Sequence, residues 1–364
     1  MRANAHRYFL LMVSILLLLW LSPASFASAA DADAKEIKLG EKVSKQIEEQ
    51  WERVVDPVRV ARLSMIMSRL LPFTERDLPF EVRLIEEKKP NAFALPGGRI
   101  YFTTGMLEFC RSDDEVAAVM AHELIHADKR HVMIQVARNQ RLSLGALAIL
   151  IATKGQGAAP ILASLAQVAI MNSYGRDLER EADTGGLNML DQTGYVPAAS
   201  VTVMERLLEQ EIKHPYVDPG IFAGHPKTRE RVADLVGIIR DNGWPLERKK
   251  ALHLLRTAVS ESEGLLSLTI DGLTVWLGPR GPGTLEVLNR TKESIDKYLQ
   301  MESSPFDVMV LKSQGAEVLK IGLGTIAAEE DVLPGMPSLS EFREKLLESL
   351  HKARSIHPVA NYHS

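Results

Sequence analysis

Ser112-Asp113-Asp114-Glu115-Val116-Ala117-Ala118-Val119-Met120-Ala121-His122-Glu123-Leu124-Ile125-His126 is the stretch from which the rest of the chain can be read. Ser112 followed three residues later by Glu115 forms a capping-box pattern, which starts a helix at this point. Val116, Val119 and Met120 give that helix an apolar face before the histidines arrive. His122 and His126, four residues apart, then project from one side, so both imidazoles can reach a single metal ion. Glu123 sits beside the first histidine, where a carboxylate can take a proton from a water held by that ion. Two nitrogen ligands, a carboxylate base and an open position together make a zinc-hydrolase arrangement. The competing interpretation is a chance match on a solvated helix.

His131 is not expected to join the set. At about 100° per residue it points roughly 140° from His126 and 180° from His122, and it reads as a cation near the helix C-terminus. A catalytic zinc needs a third protein ligand. The segment Arg176-Asp177-Leu178-Glu179-Arg180-Glu181-Ala182-Asp183 offers two carboxylate pairs at i, i+4 spacing, and helical geometry separates them. Asp177 and Glu181 fall in a polar arc with Arg180, Thr184, Asn188 and Asp191. Glu179 and Asp183 fall among Leu178, Ala182, Gly186, Leu187 and Leu190. A carboxylate turned toward an apolar interior needs a metal or a hydrogen-bond partner. Glu179 is therefore the expected third ligand. Asp183, one turn on, is placed to orient a ligand histidine through its other ring nitrogen. An ordinary charged helix laced with ion pairs is the alternative for this segment.

These residues resemble the HtpX-type and CAAX-prenyl-protease-type zinc metallopeptidases, in which His-Glu-x-x-His is followed by Glu-x-x-x-Asp on a later helix. Asn91 to Leu107, with Pro96-Gly97-Gly98 at its centre, is similar to the hairpin that precedes the active-site helix in that family. Gly224-His225-Pro226, with Arg229 downstream, matches a later motif. The similarity runs over approximately residues 35 to 240 and is greatest to the soluble, exported branch of BepA-type periplasmic proteases. The resemblance implies a zincin-like fold, one zinc held by His122, His126 and Glu179, and Glu123 as base. In one respect the chain departs from the pattern: the family usually has Gly or Ala before the second histidine, and here Ile125 must be accommodated by its packing neighbour.

The first residues read as a secretory signal (1–29). Arg2 and Arg7 precede an apolar run from Phe9 to Leu21, and Ala27-Ser28-Ala29 is a small-residue cleavage site. The run is short of the roughly 20 residues of a membrane span, so the expected location is the periplasm, with peripheral membrane or envelope contact left open. The single cysteine, Cys110, excludes an intramolecular disulfide and reads as a small buried hydrophobe. A net charge of −4 argues against nucleic acid and against a strongly anionic membrane surface as partners.

The fold class expected is α+β: a mainly helical metallopeptidase core with a small sheet, and a small C-terminal α+β domain. Ala34–Trp51 and Pro57–Leu71 read as amphipathic helices, and Phe80–Ile85 as a strand. Leu142–Ala152 and Ala158–Met171 suggest a helical hairpin packed on the core. The metallopeptidase domain is placed at 30–241, a linker helix at 242–262, the accessory domain at 263–330, and a helix and tail at 331–364. Asp271-Gly272 signals a hairpin within the accessory domain, and no internal repeat is evident.

The function expected is a zinc-dependent metalloendopeptidase that hydrolyses peptide bonds of exported polypeptides, namely misfolded or envelope proteins. Zinc lowers the pKa of its water to about 7, Glu123 takes the proton and returns it to the leaving amine, and His225 is the candidate oxyanion donor or reversible fourth ligand. Two alternatives stand beside it. One is a chaperone-like binding protein with a structural zinc, for which Glu123 has no use. The other is a hydrolase of another peptide substrate, such as cell-wall peptide.

Overall fold

A computed structural model describes residues 24–147, 158–171, 174–213, 228–299, 305–313 and 315–356. The chain divides into two compact units, one of residues 1–194 with 203–238, the other of 195–202 with 239–364. The architecture is α+β, mainly helical with small sheets. No helix among the described residues is long and apolar enough to cross a membrane. Most of the secretory-signal segment, and residues 148–157 of the stretch expected to form a helical hairpin, lie outside the described residues.

The first unit opens with α1 (Ala24–Gln50) and α2 (Pro57–Leu70). Asp56 caps α2 by accepting from the Val58 and Arg59 amides, with Pro57 at the first helical position where its missing N–H costs nothing. Strands β1 (Glu81–Ile85), β2 (Ala92–Leu95) and β3 (Arg99–Thr103) form one sheet in the order β1-β3-β2. The β2–β3 hairpin is antiparallel, β1 runs parallel to β3, and β2 is an outer strand whose four side chains are all buried. Gly97 and Gly98 in the hairpin turn have φ of 81° and 90°. A Cβ on Gly97 would lie 2.6 Å from the Ile37 Cα, so glycine lets α1 pass directly over the turn. Glu36 of α1 fixes that approach by accepting from the Gly97 amide at 3.1 Å.

After α3 (Thr104–Phe109), Ser112 accepts from the Glu115 amide and starts α4 (Asp113–Asp128), the helix that carries the two histidines. The Glu115 carboxylate is fully buried, accepting from the Arg111 amide and pairing with Arg206. The helix ends where Arg130 adopts the left-handed conformation (φ 59°, ψ 31°), and α5 (His131–Asn139) begins at once in a new direction. A non-glycine residue pays about 1 kcal/mol or more for that conformation. Arg130 is held in it by Asp33 and Glu36 of α1, which also bind Arg76. α6 (Ala158–Ile170) joins α1, α5 and the sheet in one apolar core with Leu39, Val43, Phe93, Val136, Leu165 and Tyr174.

α7 (Arg176–Thr193) packs against α4, and glycines set how closely. A Cβ on Gly185 would fall 2.7 Å from Ile125 Cδ1, so Gly185 is the neighbour that makes room for Ile125. Gly185→Ala should therefore destabilise the protein by about 1 kcal/mol, overpacking outweighing the gain in helix propensity. In an Ile125→Ala background the same change should stabilise it. Denaturant unfolding of the four proteins of this cycle checks the sign reversal, and stabilisation in both backgrounds would refute it. α8 (Ala198–Lys213) and α9 (Thr228–Asp241) follow.

In the second unit the linker helix expected within 242–262 is corrected. Only α10 (Arg248–Ala251) is helical, stopped by left-handed His253 and Leu255, and Thr257–Ser262 is a strand, β4. It pairs with β5 (Leu265–Ile270) through Glu263-Gly264, both with positive φ, a two-residue turn of the primed type that the sequence does not advertise with Asn or Asp. β6 (Leu273–Pro279) follows the expected Asp271-Gly272 turn, then α11 (Pro282–Leu299). The same order recurs in β7 (Val308–Ser313), β8 (Ala316–Ile321), β9 (Gly324–Ala328) and α12 (Leu339–Ile356). Three antiparallel strands and a helix thus occur twice without a repeat visible in the residues. Trp276 stacks on Phe342 (centroids 4.7 Å apart, planes at 5°) within their shared core.

Candidate metal centre

α4 and α7 bring His122, His126 and Glu179 together, with one ligand atom of each lying within 4.8 Å of the others. The two Nε2 atoms are 3.0 Å apart, and Glu179 oxygens lie 3.7 Å from each. A tetrahedral ion with bonds of about 2.0–2.2 Å separates its donors by roughly 3.4 Å, so this donor set fits zinc in kind and spacing. His126 is fully buried and Glu179 nearly so, whereas Asp177 and Glu181 on the same helix are exposed.

Each histidine is held from behind. His122 Nδ1 lies 3.0 Å from Asp183 Oδ1, which leaves Nε2 turned to the centre. Arg231 of α9 grips Asp183 with Nε at 3.0 Å and Nη2 at 2.6 Å, and its Nη1 reaches Glu179 Oε2 at 2.8 Å. Burial would raise the Asp183 pKa, but the charge of Arg231 and the His122 hydrogen bond hold it well below the usual carboxylate range. Burial disfavours the His122 cation, and the Asp183 hydrogen bond overcomes this, so its pKa is raised. Arg231 is raised in turn: burial opposes its charge, and Asp183 and Glu179 outweigh that penalty.

Glu123 stands outside the donor group. Its carboxyl accepts from the Ala94 amide of β2, and its Oε2 is buried with no hydrogen-bond partner among the described residues. Burial pushes it up to about 8, and a dication beside it would draw it back down. Tyr174 stacks on His126 (centroids 4.0 Å apart, planes at 22°), and its buried hydroxyl also has no partner among the described residues.

The expectation for His131 is corrected. Extrapolating at 100° per residue assumes one continuous helix, and the helix ends at Asp128. The left-handed turn at Arg130 swings His131 back, fully buried, to place its Nδ1 2.9 Å from His126 Nδ1 and its Nε2 3.3 Å from Glu181 Oε2. Gly224-His225-Pro226 lies outside the described residues, and Arg229 is exposed on α9. Sequence reasoning missed Arg231, although the signal exists: Arg231 shares a helical face with Leu235 and Ile239, while Arg229 lies about 200° round from it. Tyr174 carried no comparable signal.

The chain is 28% identical over 209 residues to the beta-barrel assembly-enhancing protease of Escherichia coli (strain K12), covering 55% of this chain and 43% of that one. It is 31% identical over 146 residues to the mitochondrial metalloendopeptidase OMA1 of Schizosaccharomyces pombe, covering 40% and 43%. For OMA1 of Arabidopsis thaliana the figures are 35% over 131 residues, covering 36% and 26%. The chain spans less than half the length of these curated relatives. Residues 57–239, half of the sequence and the part that holds α4, α7 and Arg231, match peptidase family M48, and to that family the chain belongs.

Proposed function

We propose that this chain is a zinc-dependent metalloendopeptidase, with His122, His126 and Glu179 as the metal ligands and Glu123 as general base. The observation that carries the reading is the convergence of three donors, two imidazoles and a carboxylate, beside a further buried carboxyl group, Glu123, that is not one of them. A structural centre has no use for that carboxylate. Zinc held there supplies Lewis acidity and brings the pKa of a water into the neutral range. Glu123, anchored on the Ala94 amide, takes a proton from the attacking water and delivers it to the leaving amine. Asp183 keeps His122 oriented, and Arg231 compensates the charge of both buried carboxylates. An extended substrate strand laid along β2, an outer strand of the sheet, would gain affinity from backbone pairing with little side-chain selectivity.

The substrates proposed are exported polypeptides, and the compartment the periplasm. The leader-like residues 1–29 support this, as does similarity to relatives named for assembly of beta-barrels. Digestion of an unfolded protein such as casein by the purified chain with zinc tests the activity, with loss on chelation expected. No digestion by zinc-loaded protein would reject it.

For His225 the proposed role is oxyanion donor or reversible fourth ligand. His225→Ala should keep its zinc and change turnover, because three ligands come from elsewhere. Zinc analysis beside the casein digest checks this, and metal loss as complete as in His122→Ala would make His225 a full ligand instead.

A further inference from the structure

We infer that His131 is a positioning residue for the metal centre, a neutral imidazole that accepts the Nδ1–H of His126 and anchors its own Nε2–H on Glu181. The inference rests on the proposed reading of His122, His126 and Glu179 as metal ligands. It begins with proton accounting. His126 Nδ1 and His131 Nδ1 face each other at 2.9 Å, so one carries the hydrogen and the other is bare. His126 Nε2 faces His122 Nε2 and Glu179, where its lone pair is needed for the metal. A neutral ligand histidine then has its hydrogen on Nδ1, which leaves His131 bare at Nδ1 and protonated at Nε2. That hydrogen points to Glu181 Oε2 at 3.3 Å. One tautomer assignment satisfies all of these contacts.

The two ligand histidines are therefore backed differently. His122 leans on a carboxylate that Arg231 clamps. His126 leans on a fully buried imidazole, whose own support is the half-exposed Glu181. Tyr174 covers the His126 ring face, so the ring is fixed by a stack and an N–H anchor together. The backbone is shaped for this contact. The left-handed Arg130, tied to Asp33 and Glu36, lets His131 meet His126 five residues back. Removing a partner behind a ligand histidine typically weakens metal binding 10–100-fold.

The test uses the full mature chain and zinc itself, titrated against a chromophoric chelator. His131→Ala should weaken zinc binding about 10–100-fold, with partial recovery in His131→Gln, whose amide oxygen can accept the same hydrogen. Glu181→Gln should change it by no more than about threefold, because Glu181 is half-exposed and the amide oxygen still accepts the Nε2–H. A purely structural role would lower the melting temperature of the metal-free protein and leave zinc affinity and the absorption bands of the cobalt-substituted site unmoved. Independently of any variant folding, long-range proton–nitrogen spectra of histidine-labelled, zinc-loaded wild type should show His131 bare at Nδ1 and protonated at Nε2. Wild-type affinity in His131→Ala, or an Nδ1-protonated His131, would overturn the inference while leaving the metallopeptidase reading intact. A wild-type chain that binds no zinc would overturn both.

Discussion

Glu123→Gln is expected to retain zinc at the wild-type level and to lose endopeptidase turnover by about 10²–10⁴-fold, the usual contribution of a positioned general base. The amide preserves the shape of the side chain and can still meet the Ala94 amide through its oxygen, but it has no proton-accepting carboxylate. Glu123 is buried outside the donor group, so the substitution removes no metal ligand. The measurement is metal content by atomic absorption on the same preparation used for a casein digest. Undiminished digestion with zinc retained would sink Glu123 as base and with it the proposed mechanism. Loss of zinc would instead move Glu123 into the ligand set.

Arg231→Ala should destabilise the metal-free protein by about 3–5 kcal/mol, the cost of stripping a buried ion pair of one partner. Arg231 is in contact with Glu179 and Asp183 at once, and both carboxylates are buried. Without the guanidinium they repel each other across a low-dielectric site. Added zinc should restore part of the loss, since a dication at Glu179 supplies the missing positive charge. Denaturant unfolding with and without zinc checks both parts. A variant as stable as wild type without metal would show that Arg231 is dispensable to the site.

The two helices that carry the centre were readable for different reasons: α4 is marked by its Ser112 cap and its histidines at i, i+4, whereas α7 is amphipathic with two carboxylates on its apolar face. Glu179 and Asp183 could be separated from Asp177 and Glu181 by phase alone, and the structure buries the first pair and exposes the second. Ile125 signalled a compensating neighbour, which proved to be Gly185. What failed to read was whatever depended on a break in regular geometry. His131 was misplaced because one left-handed residue, Arg130, resets the helix axis, and arginine gives no local sign of that conformation. Its cause is tertiary: carboxylates on α1, about a hundred residues upstream, hold the arginine in place. The β4 strand was read as helix because its charged flank matches a helical pattern, while Glu263-Gly264 makes the hairpin without the usual turn residues. Arg231 went unrecognised because a buried carboxylate pair calls for a cation without saying which helix will supply it.

The central claim is that one zinc is held by His122, His126 and Glu179. Anomalous diffraction from crystals of the zinc-loaded chain, recorded on either side of the zinc absorption edge, tests it most directly. A single strong peak is expected in the first unit, about 2.0–2.2 Å from His122 Nε2, His126 Nε2 and a Glu179 oxygen, with Glu123 outside that distance. A peak ligated by Glu181 or His131 in place of Glu179, or none at the His122–His126 pair, would contradict it.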